Sequence, residues 1–223
     1  MRGRKCLVTM LCVLMVGMLM LGITFRDYRS HADQSKLASF GRGGVLGQKK
    51  HLLTRQEMKQ KILPELYQTD DRWSQKTYGD DVMEVTGCGP TCLAMILKGL
   101  GVNPDTTPYR VAKWAEKQGY YVSGSGSAWN LMSEGAQRLG LDAEELSLDE
   151  SVIRRYLEQG DPIICIMRPG DFTTCGHFVV LTGELEDGTI LVNDPNSEEN
   201  SHVAWELDRL MGQIKNLWGY SAA

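Results

Sequence analysis

Three short stretches of this 223-residue chain carry residue types that could do chemistry together. The first is Thr86-Gly87-Cys88-Gly89-Pro90-Thr91. Glycines on both sides let the backbone turn sharply and leave room beside the sulfur. A helix is predicted to start at Pro90, with Gly89 as its N-cap. Its amino end would face Cys88 with partial positive charge, which favours thiolate over thiol. Backbone N–H groups there can also hold a developing oxyanion. This is the setting a cysteine nucleophile needs, although a small buried cysteine is the plainer reading of the same residues. Cys92 falls within the helix among apolar neighbours and reads as core.

The second and third stretches supply a base and an orienting acid. His177 opens the apolar run Phe178 to Thr182, and Asp194 follows Thr189-Ile190-Leu191-Val192-Asn193. Asp187-Gly188 between them signals a hairpin. A hairpin centred between Leu185 and Glu186 would place His177 opposite Asp194, about 5 Å apart at Cβ. A carboxylate there fixes the imidazole tautomer and stabilises the imidazolium. Pro195 closes the strand, so Asp194-Pro195 also reads as a simple turn. Upstream, Gln68 offers a side-chain amide that can complete an oxyanion hole, or can simply sit on a loop surface.

The elements expected to position these residues follow from periodicity. Helices are predicted from Pro90 to about Leu100, from Pro108 to Gln118, from near Ser127 to Gly140 and from Leu148 to Gln159. Ser147 and Glu150 make a capping box for the last of these. A short helix is open to Glu57–Leu66. Beyond Gly160, strands are predicted at 162–167, 177–183, 188–193 and 203–206, then a helix over Leu207–Leu217. Helices first and strands second indicate an α+β domain, with an N-terminal helical part and a C-terminal antiparallel sheet. Ser123-Gly124-Ser125-Gly126 reads either as a loop bordering a substrate groove or as a plain turn. Trp129 and Trp205 read as packing residues.

Ahead of the domain, Arg2, Arg4 and Lys5 precede an apolar run from Cys6 to Phe25. At 1.5 Å per residue that run spans roughly 30 Å, the thickness of a bilayer core. It ends without a small-x-small cleavage site. Residues 1–26 are therefore expected to be a transmembrane signal anchor, residues 27–56 a polar tether and residues 57–223 the domain. The basic amino end should stay in the cytoplasm, placing the domain outside the cell; a cleaved signal would make it secreted instead. The net charge of −4 and the absence of a basic stripe argue against nucleic acid as a partner. Six cysteines with no Cys-x-x-Cys pair and four scattered histidines argue against a structural zinc site. Cys165 and Cys175 can pair across a hairpin or remain free thiols, and free thiols are expected.

Taken together, these segments resemble the bacterial peptidase C39-like family of papain-like cysteine peptidases. The resemblance is carried by Tyr67-x-x-x-x-Arg72-Trp73-Ser74, Gly87-Cys88-Gly89-Pro90-Thr91, Gly176-His177-Phe178-Val179-Val180-Leu181-Thr182-Gly183 and Asn193-Asp194-Pro195. It covers about Tyr67 to Tyr220. It implies a papain-like α+β fold, with Cys88 as nucleophile, His177 as general base and acid, and Asp194 as the orienting residue. Gln68 falls where the family places its oxyanion glutamine. Neither a cofactor nor a metal is implied. The best-known relatives remove double-glycine leader peptides and are fused to transporters. No transporter segment is visible in these residues, so peptides, envelope proteins or peptidoglycan crosslinks are the expected substrates. A peptidoglycan amidase of the same chemistry and a non-catalytic peptide-binding domain are the alternatives.

Overall fold

A computed structural model of the chain describes residues 51–223. The expected anchor at 1–26 and most of the expected tether lie outside the described residues. No described helix is long and apolar enough to cross a membrane. The polar stretch gives way to structure before residue 56. His51–Leu52 forms strand β1, and Arg55–Met58 forms helix α1, closed by a capping box between Thr54 and Glu57.

The chain continues through a small hairpin, β2 (Thr77–Tyr78) and β3 (Asp81–Val82), into helices α2 (Met83–Thr86), α3 (Cys88–Gly99) and α4 (Pro108–Lys117). A second hairpin, β4 (Tyr121–Val122) and β5 (Gly126–Ser127), leads to α5 (Glu134–Arg138), β6 (Leu141–Glu145) and α6 (Glu150–Gln159). Then come β7 (Ile163–Met167), β8 (His177–Glu184), β9 (Ile190–Asn193), α7 (Glu198–Ser201), β10 (Val203–Trp205), α8 (Leu207–Met211) and β11 (Ile214–Ala222). Seven strands form one antiparallel sheet in the order β1-β10-β9-β8-β7-β11-β6. The architecture is α+β with a large antiparallel sheet.

Both faces of that sheet are covered, and period-two alternation sorts the side chains between them. Ile164, Ile166, Phe178, Val180 and Trp218 pack with α3 and α4 in one cluster. Ile163, Cys165, Val179, Leu181 and Leu217 pack with Ile153 and Leu157 of α6 in the other. Helix α3 is buried from Gly89 to Leu97, as expected of a helix apolar on all sides. It is the central element of its layer, and its first residue is Cys88.

Several predicted elements are corrected. The helix carrying Cys88 starts at Cys88 itself, with Gly87 as N-cap, rather than at Pro90 with Gly89 as cap. No continuous helix runs from Ser127 to Gly140. Ser127 belongs to β5, a 3₁₀ turn spans Trp129–Leu131, and Ser133 leaves the helical region at φ −105, ψ −88 before α5 begins. Helix α6 begins at Glu150, because Asp149 takes the cap by accepting from the N–H groups of Ser151 and Val152. Only Leu207–Met211 of the expected last helix is helical; past Gly212 the chain becomes β11, wedged between β7 and β6. A strand bonded on both sides and buried at Leu217, Trp218, Gly219 and Tyr220 shows no clean alternation. Together with β6, it breaks the simple order of helices first and strands second. Trp205 packs as expected, but Trp129 is 40% exposed, edge-on to Trp218 and beneath Lys215.

Candidate active site

Cys88, His177 and Asp194 converge where the amino end of α3 meets one end of the β8–β9 pair. The flanking glycines are forced by close approach. A Cβ on Gly87 would lie 2.3 Å from the Met83 carbonyl oxygen, and one on Gly89 would lie 2.6 Å from Ser127 Oγ. With Gly89 bare, β5 packs directly against the first turn of α3, and Ser127 Oγ pairs with Tyr78 Oη at 2.9 Å in the core. The Ser123–Gly126 loop therefore lies beside this turn. A Cβ on Gly126 would come within 3.4 Å of the Thr86 carbonyl oxygen, two residues before Cys88.

His177 is the first residue of β8 and is buried at 6% exposure. Asp194 follows the last residue of β9 and is 1% exposed. His177 Nε2 meets Asp194 Oδ1 at 2.7 Å. The hairpin register differs from the predicted one. Val180 faces Asn193 and Leu181 faces Val192, with a bulge before Gly183 opposite Leu191. This shifts the pairing near His177 by two residues from the predicted register. A slip of two preserves the face on which each side chain lies, where a slip of one would reverse it. The two groups therefore still meet, diagonally rather than directly across.

Asp194 is held on every side. Its Oδ1 also accepts from the Asn196 N–H at 2.8 Å, and its Oδ2 accepts from Asn200 Nδ2 at 2.8 Å. Its own N–H donates to Ser201 Oγ at 2.9 Å. Asn200 and Ser201 were not foreseen. The signal that could have pointed to them is Ser197, the N-cap of a helix so short that its last residues fold back on the cap.

With Nε2 engaged by Asp194, the Nδ1 side of the His177 ring is the one left for Cys88. The charge states follow. Burial presses the Cys88 thiol pKa upward, but the hydrogen bond and charge of His177, with backbone bonds at Phe178 and Gly89, bring it below the ordinary thiol value. Burial presses His177 downward, yet the charge and hydrogen bond of Asp194, joined by Cys88, raise it to about 10. Both shifts favour a thiolate beside an imidazolium. Cys92 behaves oppositely. It is fully buried, its thiol is pushed up by desolvation, and its Sγ donates to the Phe178 carbonyl at 3.4 Å.

Gln68 is buried rather than on a loop surface, at 3% exposure. Trp73 Nε1 donates to the neighbouring Tyr67 carbonyl at 2.7 Å, which explains why the tryptophan accompanies this stretch. Gln68 Nε2 donates to the Glu84 carbonyl at 2.7 Å, four residues before Cys88. That acceptor fixes which end of the amide is nitrogen. One Nε2 hydrogen remains to donate elsewhere. Cys165 and Cys175 are free thiols; Cys165 is paired in register with Val179, and Cys175 precedes the strand. Among the described residues, no group of three or more His, Cys, Asp or Glu side chains could hold a metal ion.

Comparison with known proteins adds to this geometry. The sequence profile described as Peptidase_C39 like family matches residues 64–222. No curated protein sequence matches the chain. Among solved structures, the chain is similar to the peptidase domain of Streptococcus ComA, described as a bi-functional ABC transporter involved in a quorum sensing pathway. Identity is 19%, the TM-score is 0.48, and the match covers 62% of this chain and 93% of that one.

Proposed function

We propose that this chain, which belongs to the Peptidase_C39 like family, is a cysteine hydrolase that cleaves peptide bonds through Cys88, His177 and Asp194. Family membership supports a peptidase-type function. The observation that carries the finer reading is one imidazole bonded to a buried carboxylate at 2.7 Å, with the Cys88 thiol within hydrogen-bonding reach of the same ring.

The mechanism follows from that arrangement. His177 holds the proton taken from Cys88, and the thiolate attacks the acyl carbon. The tetrahedral oxyanion accepts from the Gln68 amide and from the backbone N–H of Cys88 at the start of α3. His177 then gives its proton to the leaving amine as the C–N bond breaks, leaving a thioester on Cys88. Water, deprotonated by His177, attacks the thioester, and the acid product leaves as the thiol is restored. Asp194 holds the ring in place throughout and stabilises its cationic form. The reading of residues 1–26 as an anchor that keeps the domain outside the cell is part of this proposal. It rests on Arg2, Arg4 and Lys5 ahead of the apolar run.

The test is hydrolysis of a mixed peptide library by the full chain, read by mass spectrometry, beside Cys88→Ala and His177→Ala. Both variants should keep the fold and lose cleavage. Cleavage retained in folded Cys88→Ala would sink the assignment.

A further inference from the structure

One side chain from outside the family match reaches beneath the site. Lys61 lies ahead of the matched residues 64–222, and its side chain is 3% exposed. A lysine is almost never this buried unless paired. Its Nζ donates to Glu65 Oε1 at 2.6 Å, the Ser201 carbonyl at 2.5 Å and the Val192 carbonyl at 3.1 Å. Those three bonds use all three ammonium donors.

The two carbonyls bracket Asp194 along the chain. Val192 precedes it in β9, and Ser201 ends α7 behind it. Ser201 is also the residue whose Oγ accepts from the Asp194 N–H, and its neighbour Asn200 donates to Asp194 Oδ2. We infer that Lys61 is a positioning residue, clamping β9 to α7 so that the Asp194 carboxylate is held at the distance His177 requires. The inference rests on the reading of Cys88, His177 and Asp194 proposed above.

The choice of lysine follows from the acceptors. Two buried carbonyls on separate elements need donors from one point, and a buried carbonyl left unpaired is costly. A compact ammonium with rotatable donors reaches both, along with a carboxylate that balances its charge. Glu65 is fixed in turn by His202 Nε2 at 3.1 Å and Tyr67 Oη at 2.9 Å. Glu198 acts on Tyr67 from α7. Tyr67 precedes Gln68, so the same network supports the segment bearing the oxyanion donor.

The test uses the full chain carrying Lys61→Met together with Glu65→Gln. Removing both partners keeps the net charge, so a change at Cys88 cannot come from the loss of one nearby cation. The exchange also takes the ammonium from the Val192 and Ser201 carbonyls, so a loss of stability is expected and the fold is verified before the profile is read. The readout is the pH profile of Cys88 alkylation by iodoacetamide, followed by peptide mass spectrometry, with near-UV circular dichroism to verify the fold. The expected result is an upward move of the midpoint by about one pH unit, which slows alkylation about tenfold on the acidic limb. Ser201→Ala, which cuts the link between α7 and the Asp194 backbone, should move the profile in the same direction. An unchanged profile in the folded double variant overturns the inference. Should the double variant not fold, an unchanged profile in folded Ser201→Ala overturns it. If Cys88 of the unaltered chain alkylates like an ordinary thiol, the reading of the site itself fails, and the role of Lys61 falls with it.

Discussion

The backbone N–H of Gln68 donates to the carbonyl of Pro195 at 2.7 Å. Pro195 follows Asp194, and the Gln68 side chain is bonded to Glu84, just upstream of Cys88. One residue therefore ties the acid-bearing loop to α2, the short helix immediately ahead of the thiol-bearing one. Its main-chain bond holds it in place whatever the side chain does.

That separation makes Gln68→Ala an informative variant. The backbone anchor survives, so the fold should persist and KM should change little. Loss of one oxyanion donor should lower kcat by about a hundredfold or more. The measurement is steady-state kinetics on whichever peptide the library yields. A variant with kcat unchanged means Gln68 does not serve the oxyanion.

Asp194→Asn preserves shape and an oxygen for His177 Nε2 while removing the charge. Without that charge the His177 pKa falls from about 10, and the Cys88 thiolate loses its stabilising imidazolium. The alkylation profile of Cys88 should move toward that of an ordinary thiol, and kcat should fall by up to about ten-thousandfold. An Asn variant as active as the original would reduce Asp194 to a structural role.

Much of the site was legible in the sequence because its residues sit at element ends, where motif chemistry is local. Gly87 and Gly89 around Cys88, and a histidine opening an apolar strand, are visible without a fold. The meeting of His177 and Asp194 emerged from a register that was wrong by two residues, an error that preserves facing. What could not be read was set by distant partners. Gln68 is buried because Pro195 and Glu84 come to it. Lys61 is buried because β9 and α7 offer it carbonyls. The first part of β11, residues 214–217, reads as helix because burial between β7 and β6 erases the polar face that period-two patterning needs.

Gly89 should resist even the smallest side chain. The alanine methyl would sit 2.6 Å from Ser127 Oγ, 2.8 Å from Ser127 Cβ and 2.9 Å from Met132 Cε. Overpacking of this kind costs about 1–3 kcal/mol. Ser127→Gly removes two of the three clashes and leaves only the flexible end of a methionine. Urea denaturation of both single variants and the double should therefore show strong coupling, with the double variant more stable than the sum of its parts predicts. Additive losses would place the strain elsewhere.

The pH dependence of stability offers a test that needs no substrate. Taken alone, the raised His177 stabilises the fold fully below its ordinary value of 6.5, and that contribution is lost as pH rises through about 10. Taken alone, the lowered Cys88 contributes above its ordinary value of 9.0, and that contribution is lost as pH falls through its lower folded value. In the pair these slopes cancel over the middle range. Above both 6.5 and the lowered folded value of Cys88, and below 9.0, the unfolded chain keeps one proton on the thiol, while the folded chain keeps one on the imidazole. Neither state then gains or loses a proton on folding. The stability difference between the original chain and Cys88→Ala with His177→Gln should be flat across that window and should decline on both sides of it. Urea midpoints collected from acid to alkaline pH measure this directly. A difference that slopes steadily through neutrality would mean that the folded pair does not hold a single proton there, which excludes the thiolate–imidazolium pair as the folded state.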